Sequence, residues 1–412
     1  MNHLQKIPVA DLRIGMFLHG FDGPWLKNPF WKSKFLLRDP ADLRAAHTCG
    51  IAECWIDPSR GDAPAAPEPD PAPPETAKPA PAVTAPAPSP RAEPVAFDQE
   101  MRHAASMFRA ARGATVAMFS EARLGNAIDT DFCMPLVTEI TQSIMRNPGA
   151  LISLVRLKAG DDYTYMHSVA VCALMVALAQ TLGLDDEACK EAGMAGLLHD
   201  IGKACLPLDI LQKPGKLTDA EFDTVRRHPE RGHALLLQGE LTSAAVLDVC
   251  LHHHEKVDGS GYPHGLAGTD ISLFARMGAV CDVYDAITSN RPYKTGWDPA
   301  ESVARMLSWH GHFDEQVLTA FIKTVGIYPV GSLVALRSGR VAVVIEQNPE
   351  AFTKPVVKVF FSNKAGVHIA VERIDLARPG EQDIIVGREA RERWDSRLID
   401  GLWAGEWVDG AV

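Results

Sequence analysis

Through the middle of the chain, apolar residues return every three or four positions between polar ones. "DQEMRHAASMFRAARGATVAMFSEARLG", "PLVTEITQSIMRNPGALISLVRLK", "HSVAVCALMVALAQTLGL" and "DDEACKEAGMAGLLHDIG" all carry this period, which marks helices that bury one face. Thr218 followed by Glu221 makes a capping box that opens a helix over "AEFDTVRRH". Asp298-Pro299 sets an N-cap and a first-turn proline ahead of "AESVARMLSWH". Residues 97–330 are therefore predicted to form an all-helical domain.

The period changes on both flanks. Beyond Pro329, "GSLVALRSGRVAVVIEQ", "PVVKVFF" and "HIAVERIDL" alternate and are rich in β-branched residues. Residues 331–412 read as a small β appendage followed by a polar tail that holds Trp394, Trp403 and Trp407. At the front, residues 1–61 mix short apolar runs ("RIGMFL", "KFLL", "AECWIDP") with Gly, Pro and Asp, and "DPADLRAAHTCG" predicts a helix. This is a small α+β module, marginal in size for folding alone. Between them, residues 62–96 are almost entirely Pro, Ala, Glu, Thr and Ser. Such a stretch has too little apolar surface to pack, so it is read as a disordered linker. The fold class is mainly α, with small mixed and β modules at the ends.

Composition narrows the function. The chain has 412 residues, enough for a sizeable core and more than one domain. Its formal net charge of −11 excludes a general grip on nucleic-acid polymers, which need basic surfaces. A small phosphorylated ligand held by a few local cations stays open. No apolar run is long enough for a membrane span, no signal peptide opens the chain, and the eight cysteines contain no C-x-x-C pair. A reducing, cytoplasmic compartment is expected.

Chemistry concentrates in the helical body, where His167, His199-Asp200, His228, His253-His254 and Asp282 stand at uneven intervals. Uneven spacing is what side chains converging from different helices of a bundle produce. Adjacent His and Asp on a helix project about 100° apart, which suits a carboxylate shared by two metals beside an imidazole on one. Imidazole and carboxylate donors without thiolate favour iron or manganese over structural zinc. Each residue alone has a plainer reading: His167 as a hydrogen-bonded core histidine, His199-Asp200 as a helix end, His252 to His254 as a loop cluster. Their joint occurrence carries the metal reading.

Four segments in order, "HDIGK", "LQKPGKLTDAEF…RRHPERG", "HHEKVDGSGYP" and "AVCDVYDAITSNRPYK", closely resemble the HD-GYP family. Its members are bacterial HD-superfamily phosphodiesterases that hydrolyse cyclic di-GMP. The resemblance covers residues 150–330, and residues 1–60 resemble a small domain of unknown function often found before HD-GYP domains. It implies an HD-type helical bundle holding two divalent metal ions. His167, His199, Asp200 and Asp282 would serve one metal, and His228, His253 and His254 the second, with Asp200 bridging.

The same resemblance gives Asp200 and Lys203 catalytic roles. It assigns Lys203, Asp285, Arg291 and Lys294 to substrate phosphate and the network behind the ligands. Gly261, Tyr262 and Pro263 are the signature triplet, which either touches substrate or a partner or shapes the loop behind His254. Some members place a glutamate four residues before the first histidine to hold a third metal. Tyr163 stands there, so two metals are expected. Cys281 replaces the usual alanine and is read as packing.

The expected activity is hydrolysis of cyclic di-GMP to linear pGpG, with GMP as a further product. The alternatives are a catalytically weak cyclic-dinucleotide receptor and a phosphodiesterase for another cyclic dinucleotide such as cyclic GMP-AMP. Expected partners are the cyclic dinucleotide, a diguanylate cyclase or other signalling protein, and a second copy of the chain in a homodimer.

Overall fold

The computed structural model describes residues 4–23, 29–30, 34–64, 95–128, 130–155, 163–213, 215–239, 243–289, 296–348 and 350–405. They fall into two compact units, Met1–Glu93 and Pro94–Val412. In the first, β1 (Gln5–Pro8), β2 (Phe17–Asp22), β3 (Phe35–Leu36) and β4 (Glu53–Ile56) make an antiparallel sheet of order β1-β4-β2-β3. The helix α1 (Pro40–Thr48) starts where Asp39 accepts the Ala41 N–H at 2.7 Å and Pro40 supplies the first turn. Leu12, Met16, Leu18, Leu37 and Ile56 form the core. The module runs one residue past its expected end, because the Asp62 N–H donates to Gly15 O at 2.7 Å.

Near the start of the second unit the Val95 N–H donates to Arg146 O at 3.2 Å. Its first helices are α2 (Phe97–Arg123), α3 (Thr130–Arg146) and α4 (Pro148–Leu154). Buried Glu100 of α2 accepts Arg146 Nε at 2.7 Å, Arg146 Nη2 at 2.8 Å and Ser143 Oγ at 2.7 Å. That pairing locks α2 onto α3. Next come α5 (Tyr163–Thr181), buried on all sides from Met166 to Ala179, and α6 (Asp186–Leu198). Gly196 lets these two approach closely, since a Cβ there would stand 2.9 Å from the Cys172 backbone.

A 3-10 turn (Ile201–Cys205) leads to α7 (Leu208–Leu211), α8 (Asp219–Val225), α9 (His228–Gln238) and α10 (Ala244–His252). The bundle closes with α11 (Leu273–Thr288), α12 (Pro299–Ser308) and α13 (Glu315–Val325). The capping box forms in full: Thr218 Oγ1 accepts the Glu221 N–H at 3.3 Å, and Glu221 Oε2 accepts the Thr218 N–H at 2.7 Å. The single helix expected over "AEFDTVRRH" is instead two, because α8 ends at Val225 and α9 starts afresh at His228. Among the described residues no helix is long and apolar enough to cross a membrane.

Strands β5 (Leu333–Leu336), β6 (Arg340–Glu346), β7 (Val356–Ser362), β8 (Val367–Asp375) and β9 (Ile385–Arg388) form an antiparallel sheet of order β8-β7-β6-β5-β9. Asp298, N-cap of α12, also accepts the Leu333 N–H at 3.3 Å and ties the sheet to the bundle. The expected polar tail is a correction. Residues Ser396–Ala404 form α14, capped by Asp395, and bury Ile399 and Trp403 against Val341, Val343 and Phe360. Ile399 and Trp403, four apart, were not read there as one helical face. Trp407 lies outside the described residues.

Candidate metal centre

Five helix ends and interiors deliver the donor set. His167 lies in the first turns of α5, His199 caps the end of α6, and Asp200 opens the 3-10 turn. His228 begins α9, His253 and His254 follow α10, and Asp282 and Asp285 sit one turn apart on α11. Two glycines make the approach close enough. A Cβ on Gly202 would stand 1.9 Å from His228 O, and one on Gly232 would stand 2.9 Å from Gly202 N. The glycines of "HDIGK" and "HPERG" thus let the 3-10 turn lie directly on α9.

Four imidazoles are oriented by the same device. Nδ1 faces Gly196 O at 2.8 Å in His199, Val225 O at 2.8 Å in His228 and Val249 O at 2.9 Å in His253. In His167 it faces Asp285 Oδ2 at 2.6 Å. These oxygens accept, so each Nδ1 carries the proton and Nε2 turns inward as the ligating atom. His228 Nε2 and His253 Nε2 meet at 3.4 Å, two lone pairs face to face. His199 Nε2 and Asp200 Oδ1 are buried without a hydrogen-bond partner. Such an arrangement wants a cation at its centre.

Asp200 divides its carboxylate between two groups. Its Oδ2 lies 3.3 Å from His199 Nε2 and 3.5 Å from His167 Nε2. Its Oδ1 lies 3.1 Å from His228 Nε2 and 3.8 Å from His253 Nε2. Asp282 Oδ1 is 2.9 Å from His167 Nε2, and its Oδ2 is 3.8 Å from His254 Nδ1. The donor atoms of His167, His199 and Asp282, and those of His228, His253 and His254, gather as sets that could each hold an ion, and a third set, His199, Asp200 and His253, joins the two.

Charge agrees with that division. Burial disfavours an ionised Asp200, yet Lys203 and His199 hold its carboxyl well below the usual range. Burial likewise opposes charge on Asp282, and His167 outweighs it. Burial drives His253 far down and His254 to about 3, so both stay neutral and keep a lone pair for metal. Burial also works against a charged His167, but Asp282 and Asp285 raise its pKa. The buried carboxylates of Asp200 and Asp282 beside the neutral imidazoles of His253 and His254 fit divalent metal, and the donor set contains no thiolate.

The residues expected around substrate separate. Lys203 Nζ pairs with Asp200 Oδ2. Asp285, expected at substrate phosphate or behind the ligands, is 1% exposed and occupied with His167. Its contact is with His167, behind the donor set, as the second part of that expectation has it. Arg291 and Lys294 lie outside the described residues, as does the side chain of Tyr163. Cys281 is buried, and burial pushes its thiol well above the ordinary range, as fits a packing residue.

In the signature triplet, Gly261 is required by space: a Cβ there would stand 2.4 Å from Lys256 N. Tyr262 stacks on His254 with centroids 4.7 Å apart and donates its N–H to His254 O at 3.2 Å. The Tyr262-Pro263 peptide is cis. Two residues here were missed. Buried Glu255 accepts the N–H groups of His264 at 2.7 Å, Gly265 at 3.1 Å and Leu266 at 3.1 Å, and so anchors the loop after the triplet. The acid directly after two ligating histidines was its signal. Arg226 lays its guanidinium 4.8 Å from the Tyr262 ring centre, and nothing in "VRRH" distinguished it from Arg227.

Comparison with known proteins adds relatives to this geometry. An HD domain family matches residues 142–317, and a domain of unknown function, DUF3391, matches residues 4–133. The second match continues past the expected linker through α2. The chain is 54% identical to the cyclic di-GMP phosphodiesterase PA4108 of Pseudomonas aeruginosa, over 98% of this chain and 96% of that protein. It is 38% identical to 3'3'-cGAMP-specific phosphodiesterase 1 of Vibrio cholerae, over 40% of this chain and 38% of that one. Among solved structures it is similar to Bd1817 of Bdellovibrio bacteriovorus at 18% identity and TM-score 0.45, covering 77% of this chain and 98% of that one.

Proposed function

The chain belongs to the HD-GYP family of HD-domain phosphodiesterases, and we propose on that premise that it hydrolyses cyclic di-GMP at a two-metal centre. The observation that carries the two-metal reading is the carboxylate of Asp200, one oxygen toward His167 and His199 and the other toward His228 and His253. His167, His199 and Asp282 would hold one ion, His228, His253 and His254 would hold the second, and Asp200 would serve both. Imidazole and carboxylate donors without thiolate favour iron or manganese.

When bound, the divalent ions supply Lewis-acid charge, which offsets the anionic phosphate oxygens and eases proton loss from water. The chain's own residues prepare that chemistry. Backbone carbonyls and Asp285 hold the imidazoles in the ligating tautomer, so no proton has to leave when a ligand turns inward. Lys203, already paired with Asp200, stands ready to meet a phosphate oxygen, and Arg291 and Lys294 are assigned the same task. Water adds across a P–O3′ bond, leaving a free 3′-hydroxyl and a 5′-phosphate on linear pGpG. A second cleavage gives GMP.

A phosphodiesterase for cyclic GMP-AMP is the second reading, supported by the Vibrio relative over its shorter match. A silent receptor would have no use for the full donor set. Eight free cysteines fit a reducing cytoplasm, where a diguanylate cyclase is the expected protein partner. The test is chromatography of cyclic di-GMP incubated with the metal-loaded full chain. Linear pGpG should accumulate, and Asp200→Asn should stop it. Intact substrate after incubation with fully metal-loaded protein would refute the assignment.

A further inference from the structure

A ladder of stacked groups leads outward from the metal ligand His254. Tyr262 stacks on its ring at 4.7 Å, and the Arg226 guanidinium lies over the tyrosine, 4.8 Å from its centre. Exposed Phe222 follows at 6.0 Å from the same guanidinium. Arg226 terminates α8, with its N–H bonded to Phe222 O at 2.8 Å, and lies two residues before ligand His228. The ladder is therefore fixed at both ends, by a helix terminus and by the metal site. Through Tyr262 this guanidinium is joined by ring contacts to His254.

What Arg226 lacks is as telling. Among the described residues its guanidinium meets no carboxylate and no carbonyl oxygen, and ring faces alone hold it. An arginine held against ring faces keeps N–H donors available, and its guanidinium is a planar fork matched to paired acceptors. In a chain of net charge −11, an exposed guanidinium without an acid partner among the described residues, one ring contact from a candidate metal ligand's stacking partner, calls for an explanation.

We propose that Arg226, placed against the rings of Tyr262 and Phe222, reads the O6 and N7 acceptors of a guanine and selects guanine-containing cyclic dinucleotides. The assignment rests on the phosphodiester reading of the site and adds the base-recognition element to it. Guanine presents two acceptors on that edge, whereas adenine presents N7 beside an N6 amino donor that repels the fork. Arg226 thus discriminates bases without touching the reacting phosphate, which belongs to the metals and Lys203.

The experiment compares the metal-loaded full chain with Arg226→Ala and Arg226→Lys, using cyclic di-GMP as substrate and cyclic di-AMP as competitive inhibitor. Arg226→Ala should raise KM for cyclic di-GMP roughly 5- to 150-fold, the range of one bidentate base contact. Its kcat and metal content should not change, because uniform binding is lost and not transition-state binding. The inhibition constant of cyclic di-AMP should stay level. Arg226→Lys keeps the charge but not the fork, and should lose most of the same preference. Equal weakening of both dinucleotides would place Arg226 on phosphate and overturn the proposal, as would an unchanged KM or a loss of metal. A wild-type chain that leaves cyclic di-GMP intact would instead refute the phosphodiesterase reading itself.

Discussion

Asp285 shows how a residue's type can be legible while its task is not. "CDVYD" offers two carboxylates three positions apart, which lie on one face of a helix. One of them, Asp282, points its oxygens at the imidazoles, while Asp285 takes the Nδ1 proton of His167 at 2.6 Å. Sequence spacing put both acids on that face, but the partner each meets depends on how α11 lies on α5. The convergence of the seven candidate donors was legible, because each stands in a short motif of fixed chemistry. Arg226 and Glu255 were not, since their partners come from loop geometry. Asp285→Ala should lower metal affinity ~10- to 100-fold by freeing the tautomer and tilt of His167. Asp285→Asn keeps an acceptor oxygen and should retain much of that affinity. Competition with a chelator measures both. Equal affinity in wild type and Asp285→Ala would remove Asp285 from the centre's support.

At the level of elements, the helical period and the capping residues marked where helices start better than where they stop. Thr218, Asp298, Asp185 and Asp39 all cap helices as side-chain acceptors. The break between α8 and α9 carried no glycine, and Pro229 sits at the second position of the new helix and not between the two. α14 was missed because its apolar residues were weighed one by one. The closest packing in the site, Gly202 against α9, was visible as a glycine but not as a contact. Gly202→Ala would push a methyl group into His228 O, a backbone atom that cannot move aside alone. The 3-10 turn should separate from α9, costing about 1–3 kcal/mol or more of stability. Thermal melting and elemental analysis should show a lower Tm and less bound metal. A variant with wild-type Tm and metal content would show that the approach of these two elements does not set the site.

On the scale of the whole molecule, the chain joins a small α+β module to a larger unit that contains the metal centre, the bundle and the C-terminal sheet. The composition shift at the Pro/Ala stretch located that division, and the second unit closes itself at Val95 and through the Glu100–Arg146 pair. Residues 95–412 alone should therefore be soluble, helical by circular dichroism and active, and an unfolded fragment would mean that the first module is part of the catalytic fold. Comparing its kinetic constants with those of the full chain at equal metal content tests whether the module gates the site or tethers it. The proposed chemistry depends on one feature, the Asp200 carboxylate proposed to be shared between two ions. The most direct measurement titrates metal back into stripped protein while following both bound metal per chain and cyclic di-GMP hydrolysis. The account predicts two equivalents per chain, with turnover appearing as the second site fills. Full activity at one equivalent, or a requirement for three, would contradict it.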